Sequence, residues 1–140
     1  MADTSNTDLL SNYARSLGIE VSSFENDVPV LCVSGIDAIE GRPGHFHGGA
    51  TSGLLETAAY AALRVALNES GEDAQLKPIN ITVQFLAAAT KTPLFAKARI
   101  TKLGRRSANV SVEAWQEERD RPRASAVMNV MIQRSESGSA

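Results

Sequence analysis

Within Arg42 to Leu67, RPGHFHGGATSGLLETAAYAALRVAL, a few residues have the types and spacing for chemistry on a carbonyl. His47 is followed by Gly48 and Gly49, so two amides without side chains stand where a helix begins. N–H groups there lie at the positive end of the helix dipole and can hold an oxygen that gains charge. Glu56 follows nine residues after His47. At ~100° per residue, Leu54, Leu55, Ala58, Leu63 and Leu67 help cover most of the helix circumference, and Thr57 and Arg64 fall on the narrow remaining arc. Glu56 projects between Leu63 and Leu67, inside the apolar arc. A carboxylate there is costly unless it is hydrogen-bonded, protonated or used. Donors at the mouth and an acid about two turns further in suit attack on a carbonyl.

The elements that must position these groups follow from periodicity. The helix after His47-Gly48-Gly49 runs about five turns, with Gly53 its one weak position. Upstream, Ser5 or Thr7 could cap a short helix over 8–17 that Gly18 stops, and Leu9, Leu10, Tyr13, Ala14 and Leu17 make its apolar stripe. Residues 19–24 alternate loosely as a strand. Pro29 restarts the chain, 30–36 reads as a better strand with Cys32 in the core, and 37–44 is a polar loop. After the helix, 68–77 is a polar connection. Ile79, Ile81, Val83 and Phe85 then alternate with Asn80, Thr82 and Gln84 at the period of a strand. The runs 94–103, 107–116 and 124–133 are strand-like, joined by tight turns at 103–106 and 117–122. Trp115, Met128 and Met131 read as core or sheet-face packing.

The expectation is an α+β fold, one curved antiparallel sheet wrapped around one long central helix, with the last four strands forming a meander. It occupies a single domain over 1–134, with 1–6 loose and 135–140 a disordered tail.

Composition narrows the function. The chain of 140 residues carries 14 Lys and Arg against 16 Asp and Glu, a net charge of −2 that gives no reason to expect nucleic acid. A single cysteine fits a reducing compartment. The start is polar, which predicts no signal peptide, and no uncharged apolar run approaches the ~20 residues of a membrane span. The expectation is a cytoplasmic protein that meets no membrane. His45 and His47 form an H-x-H pair with no second His or Cys cluster, so no metal is expected.

With His47-Gly48-Gly49 and Glu56 in view, the sequence resembles a hotdog-fold thioesterase of the PaaI-like type, on the Glu-bearing branch typified by 4-hydroxybenzoyl-CoA thioesterase of the Arthrobacter kind. The likeness covers roughly 28–133 and extends to INITVQFLAAA and TKLGRRSANVSVEAW. It implies an acyl-CoA thioesterase needing no cofactor, with CoA part of the substrate. Gly48 N–H would bind the thioester oxygen, Glu56 would act as nucleophile or general base, and His47 would hold the loop or assist polarisation. Gly49, Tyr60, Asn80 and Thr82 would line the substrate cleft, and Lys102, Arg105 and Arg106 would meet the CoA phosphates. Such domains work as homodimers, often dimers of dimers, which makes a homotetramer the expected assembly. Two departures stand out: Ala88 replaces an expected proline, and Gly41, beside Arg42, replaces an Asn or Gln that many members carry. A non-catalytic hotdog module that binds acyl-CoA or serves assembly is the alternative. Hydratase chemistry needs an Asp five residues before a His, and neither His45 nor His47 has one.

Overall fold

The computed structural model describes residues 9–35, 37–90 and 93–134. The expectations for 1–6 and 135–140 fall outside that range. Helix α1 (Asn12–Ser16) precedes strands β1 (Ile19–Glu25) and β2 (Val28–Val33), then a 3-10 turn at Asp37–Ile39. The central helix α2 spans Gly48–Glu69, and β3 (Ala74–Phe85), β4 (Leu94–Leu103), β5 (Ser107–Trp115) and β6 (Ala124–Arg134) follow. The six strands form one antiparallel sheet in the order β1-β2-β4-β5-β6-β3. The sheet wraps α2, the hotdog arrangement that the resemblance implies.

Small side chains let helix and sheet approach. Ala58, Ala59, Ala61 and Ala62 on α2 are buried, as are Ala96, Ala98, Ala114, Ala124 and Ala126 on the strands. Leu54, Leu55, Leu63 and Leu67 fill the remaining space without any exposure. An alanine-rich helix is favoured intrinsically and presents a slim surface around which a sheet can curl.

Several local expectations are corrected. Helix α1 is capped by Ser11, whose side chain accepts from the Ala14 amide; the expected caps Ser5 and Thr7 lie outside the described residues. Gly18 does stop it, at φ 80°. Tyr13 is 59% exposed and lies off the stripe. Pro29 does not restart the chain but sits buried inside β2, opposite Phe24. Cys32 is only half-buried, because β2 turns Leu31 and Val33 inward and Cys32 outward; burial, and then Glu20, push its thiol pKa up. Met128 is core, whereas Met131 is exposed. Trp115 stacks on Phe95 with Arg119 lying 4.2 Å over its ring.

The largest correction concerns β3. It begins at Ala74, not Ile79, and it does not start a four-strand meander: of the last four strands, only β4, β5 and β6 are consecutive neighbours. Strand β3 crosses to the far side, pairs with β6 and leaves its other edge open. An edge accommodates Pro78, where the register shifts by one residue. Ile79 and Phe85 are 51% and 60% exposed there. No helix among the described residues is long and apolar enough to cross a membrane.

Candidate active site

Helix α2 starts at Gly48, with His47 as its N-cap in extended conformation. The first helical amides are then assigned one by one. Ala50 and Thr51 donate to the His47 carbonyl at 2.9 and 3.1 Å. Gly49 donates to His47 Nδ1 at 2.8 Å, so the neutral ring carries its proton on Nε2. The Gly48 amide has no partner among the described residues. Both glycine amides were expected to be open to a ligand; the imidazole occupies one of them. The second glycine has a steric reason as well, since a Cβ at Gly49 would lie 3.0 Å from His47 Nδ1.

The unpartnered amide opens onto a cavity of about 410 Å³. One wall is the loop Gly41–His47, a second is the chain after β3, Phe85–Ala89, and Arg123 completes it. The walls are tied together. Phe46 N–H donates to the Ala89 carbonyl, His47 N–H to Ile39, and Leu86 and Ala87 to Arg123. Buried Gln116 brackets Thr90, accepting from its amide at 3.1 Å and donating to its carbonyl at 2.6 Å. Ala88 contributes its carbonyl, which accepts from Arg123 at 2.8 Å. Phe85 and Arg123 were not anticipated as site residues. Nothing in the local sequence marks Arg123, which reaches the cavity through the pairing of β6 with β3.

Glu56 lies elsewhere on α2. Its expected place inside the apolar arc is corrected: Ser52, Glu56, Tyr60 and Arg64 form a half-buried line along the helix. Thr57, expected on the open arc, is buried and closes its hydroxyl onto the Gly53 carbonyl at 2.6 Å. Arg64 turns toward the chain and donates to the Ala74 carbonyl. No described cation pairs with Glu56, and its side-chain partner is Tyr60 one turn on. Glu56 does not line the Gly48 cavity. Eight residues separate the two, about 12 Å along the helix axis.

The Tyr60 phenol is pushed up to about 12 by burial first, then by the charge of Glu56 and a hydrogen bond to it. At neutral pH it therefore remains a donor to that carboxylate. The ionised phenolate is the disfavoured form in the folded protein. The stability linked to this group is complete below the ordinary value of 10.0 and is lost as pH rises through about 12. Wild type is expected to lose denaturant resistance across that window more steeply than Tyr60→Phe, read as urea midpoints at pH 9 to 12. Parallel curves would show that Tyr60 titrates normally.

The remaining candidates are dispersed in the single chain. Asn80 and Thr82 lie exposed on the open edge strand. Asn80 ends a line of amides across the outer sheet face: Asn109 Nδ2 donates to Asn129 Oδ1 at 2.8 Å, and Asn129 Nδ2 to Asn80 Oδ1 at 2.9 Å. Lys102 on β4 and Arg105 and Arg106 in the β4–β5 turn are exposed, but at the opposite end of the sheet from Gly48. Register places Ser107 and Met131 beside Lys77 there, while Ala124 and Phe85 mark the Gly48 end, roughly 25 Å away.

Comparison with known proteins adds a family to this geometry. Residues 43–122 match the model of the Thioesterase superfamily. Among solved structures, a thioesterase of Haemophilus influenzae superimposes with a TM-score of 0.80 at 21% identity, over 92% of this chain and 87% of that one. AziG of S. sahachiroi gives 0.78 at 23%, over 90% and 99%. A phenylacetic acid degradation-related protein of Ralstonia eutropha gives 0.75 at 22%, over 87% and 90%. At such identities the likeness is one of fold. No curated protein matches the chain.

Proposed function

Because the chain belongs to the thioesterase superfamily, we propose that it hydrolyses acyl-CoA thioesters, with Gly48 N–H as oxyanion donor and Glu56 acting on the carbonyl carbon. The observation that carries this reading is the Gly48 amide, which alone in the first turn of α2 has no partner among the described residues and opens onto a cavity. The carbonyl oxygen accepts from that amide, and charge gathering on it is stabilised by the amide and the helix dipole. Glu56 attacks the carbon directly or takes a proton from a water that does. On either route the carbon–sulfur bond breaks and the CoA thiolate leaves and is protonated. Water attack gives the acid at once, whereas direct attack leaves an anhydride between Glu56 and the acyl group, which a water then hydrolyses to release the acid and restore the carboxylate. His47 fixes the loop through its bond to Gly49.

Spacing argues for a site shared between two copies of the chain. A donor on the oxygen and an attacking carboxylate on the carbon of one carbonyl stand roughly 6–7 Å apart. An axial separation of about 12 Å exceeds that, even with the Glu56 side chain tilted toward the helix N-terminus. A second copy could bring its Glu56 to the first copy's Gly48. The open edge of β3, with Ile79 and Phe85 exposed, offers the surface for such pairing. Tyr60 and Asn80 then lie close to the junction, and the assembly is at least a homodimer and, on this reading, a dimer of dimers acting in the cytoplasm.

Mixing two inactive variants tests this. Glu56→Gln and Gly48→Pro chains, denatured and refolded together, would form mixed dimers in which one site has both native groups. About a quarter of wild-type activity per site is expected to return. A site built within one chain recovers nothing on mixing. If wild type itself turns over no thioester in a thiol-release assay across aliphatic and aromatic CoA thioesters, the enzyme reading fails and a binding module is left.

A further inference from the structure

The cavity beside Gly48 has a charge character that thioester hydrolysis by Gly48 and Glu56 does not require. Arg42 and Arg123 both line it, with His45 and His47, and none of its lining residues among those described is acidic. This concentration of positive charge sits in a chain of net charge −2. The two guanidinium groups differ in their bonding. Arg123 is half-buried and braced by the Ala88 carbonyl. The Arg42 side chain has no hydrogen-bonding or ion-pairing partner among the described residues.

The backbone that carries Arg42 is also held firmly, while the side chain is exposed. The segment 39–47 is a small hairpin: Glu40 bridges Phe46, Gly41 N–H donates to the His45 carbonyl at 3.0 Å, and His45 N–H to the Arg42 carbonyl at 2.9 Å. Pro43 and Gly44 form the tip, with Gly44 at φ 80°, a value suited to the third position of a Pro-Gly turn. Glu40 accepts from the Gly44 amide at 2.7 Å, and a bridge from His45 to Thr90 fastens the hairpin to the opposite wall. The backbone carrying Arg42 is thus fixed before any ligand arrives, which lowers the ordering cost of using it.

We propose that this cavity is a subsite for an anionic group carried by the substrate, with Arg42 as its principal contact and a specificity-determining residue. The proposal rests on the thioesterase reading of the same site. Two parts of a thioester can supply the anion: a carboxylate on the acyl group, or a phosphate of CoA. Reach favours the carboxylate. One placed four or five carbons from the thioester carbonyl spans roughly 6 Å and stays within the cavity that Gly48 shares with Arg42. The CoA diphosphate lies roughly 15 Å from the thioester along the extended pantetheine arm, and must fold back to meet Arg42.

Four probes separate these cases: glutaryl-CoA, its neutral monomethyl ester, and the two corresponding pantetheine thioesters, which lack phosphate. For an acyl carboxylate, Arg42→Ala is expected to raise KM for both glutaryl thioesters about 10- to 100-fold and leave both esters near wild type. For a CoA phosphate, KM rises for both CoA thioesters and for neither pantetheine thioester. Arg42→Lys, which keeps the charge, recovers part of either loss. Wild-type turnover with all four KM values within twofold in Arg42→Ala overturns the subsite while leaving the hydrolase reading intact. If wild type hydrolyses none of the four, calorimetric titration with glutarate and with CoA reads the subsite directly, and equal affinities for wild type and Arg42→Ala overturn it.

Discussion

Glu56→Gln lowers kcat for acyl-CoA hydrolysis by roughly 10²- to 10⁴-fold, with KM changed only a few-fold and thermal stability close to wild type. The substitution removes charge and nucleophilicity but retains shape and an oxygen that can accept from Tyr60. The competing role for a half-buried carboxylate is structural, and the surroundings of Glu56 supply little for it. No described Lys, Arg or His pairs with it, and its neighbours along the helix are Ser52 and Tyr60. A carboxylate that held the fold through an ion pair would cost several kcal/mol when neutralised, because a buried cation would be left behind. Here no such cation exists among the described residues, so the cost should fall on the reaction.

A second readout guards against loss of activity through disturbed structure. Burial is the first cause of the raised Tyr60 pKa and persists in Glu56→Gln, while the contributions of the Glu56 charge and hydrogen bond weaken. The phenol should therefore titrate at lower pH in the variant, followed as tyrosinate absorbance against a Tyr60→Phe blank. Full activity in Glu56→Gln with this spectral shift present would show that the local geometry is right and the catalytic role wrong.

How much of this was legible before folding depends on what periodicity can report. Strands β4, β5 and β6 alternate cleanly and are joined by tight turns, so their extents and pairing follow from the sequence almost to the residue. Strand β3 alternates from Ile79, and its first residues alternate as well, Ala74 and Leu76 against Gln75 and Lys77, but in the opposite phase, because the register shifts at Pro78 on this edge strand. Its neighbour was not legible at all. Alternation identifies a strand, whereas the crossing of β3 to the side of β6 depends on closing the sheet around α2. The helical wheel located Glu56 by angle but could not know which arc the sheet would cover; covering Thr57 and leaving Ser52, Glu56 and Tyr60 half-open is a result of packing. That a helix opens at Gly48 behind His47 was legible because the signal is local. Arg123 and Phe85 were not, because they reach the same cavity from positions far along the chain.

Gly48→Pro is the sharper test of the oxyanion donor, because proline replaces the one unpartnered N–H with a ring methylene while keeping a backbone suited to the first helical position. Position 48 is the first residue of α2, where proline is well tolerated and where no helical bond uses the amide. The preceding residue must be extended, and His47 already is, at φ −63° and ψ 140°. Added carbon at this position meets Phe85 Cζ at 3.3 Å, a side chain 60% exposed and able to yield. Gly48→Ala introduces a similar contact but keeps the amide, so the difference between the two variants reads the loss of the N–H together with the methylene that takes its place. The expected loss is roughly 10²- to 10³-fold in kcat for Gly48→Pro relative to Gly48→Ala, with matching melting temperatures. KM should move less, because the bond to the carbonyl strengthens as its oxygen gains charge. If the two variants turn over alike, the unpartnered amide is not the group that holds the oxygen, and the donor must be sought at His47 Nε2 or Arg42, which line the same cavity.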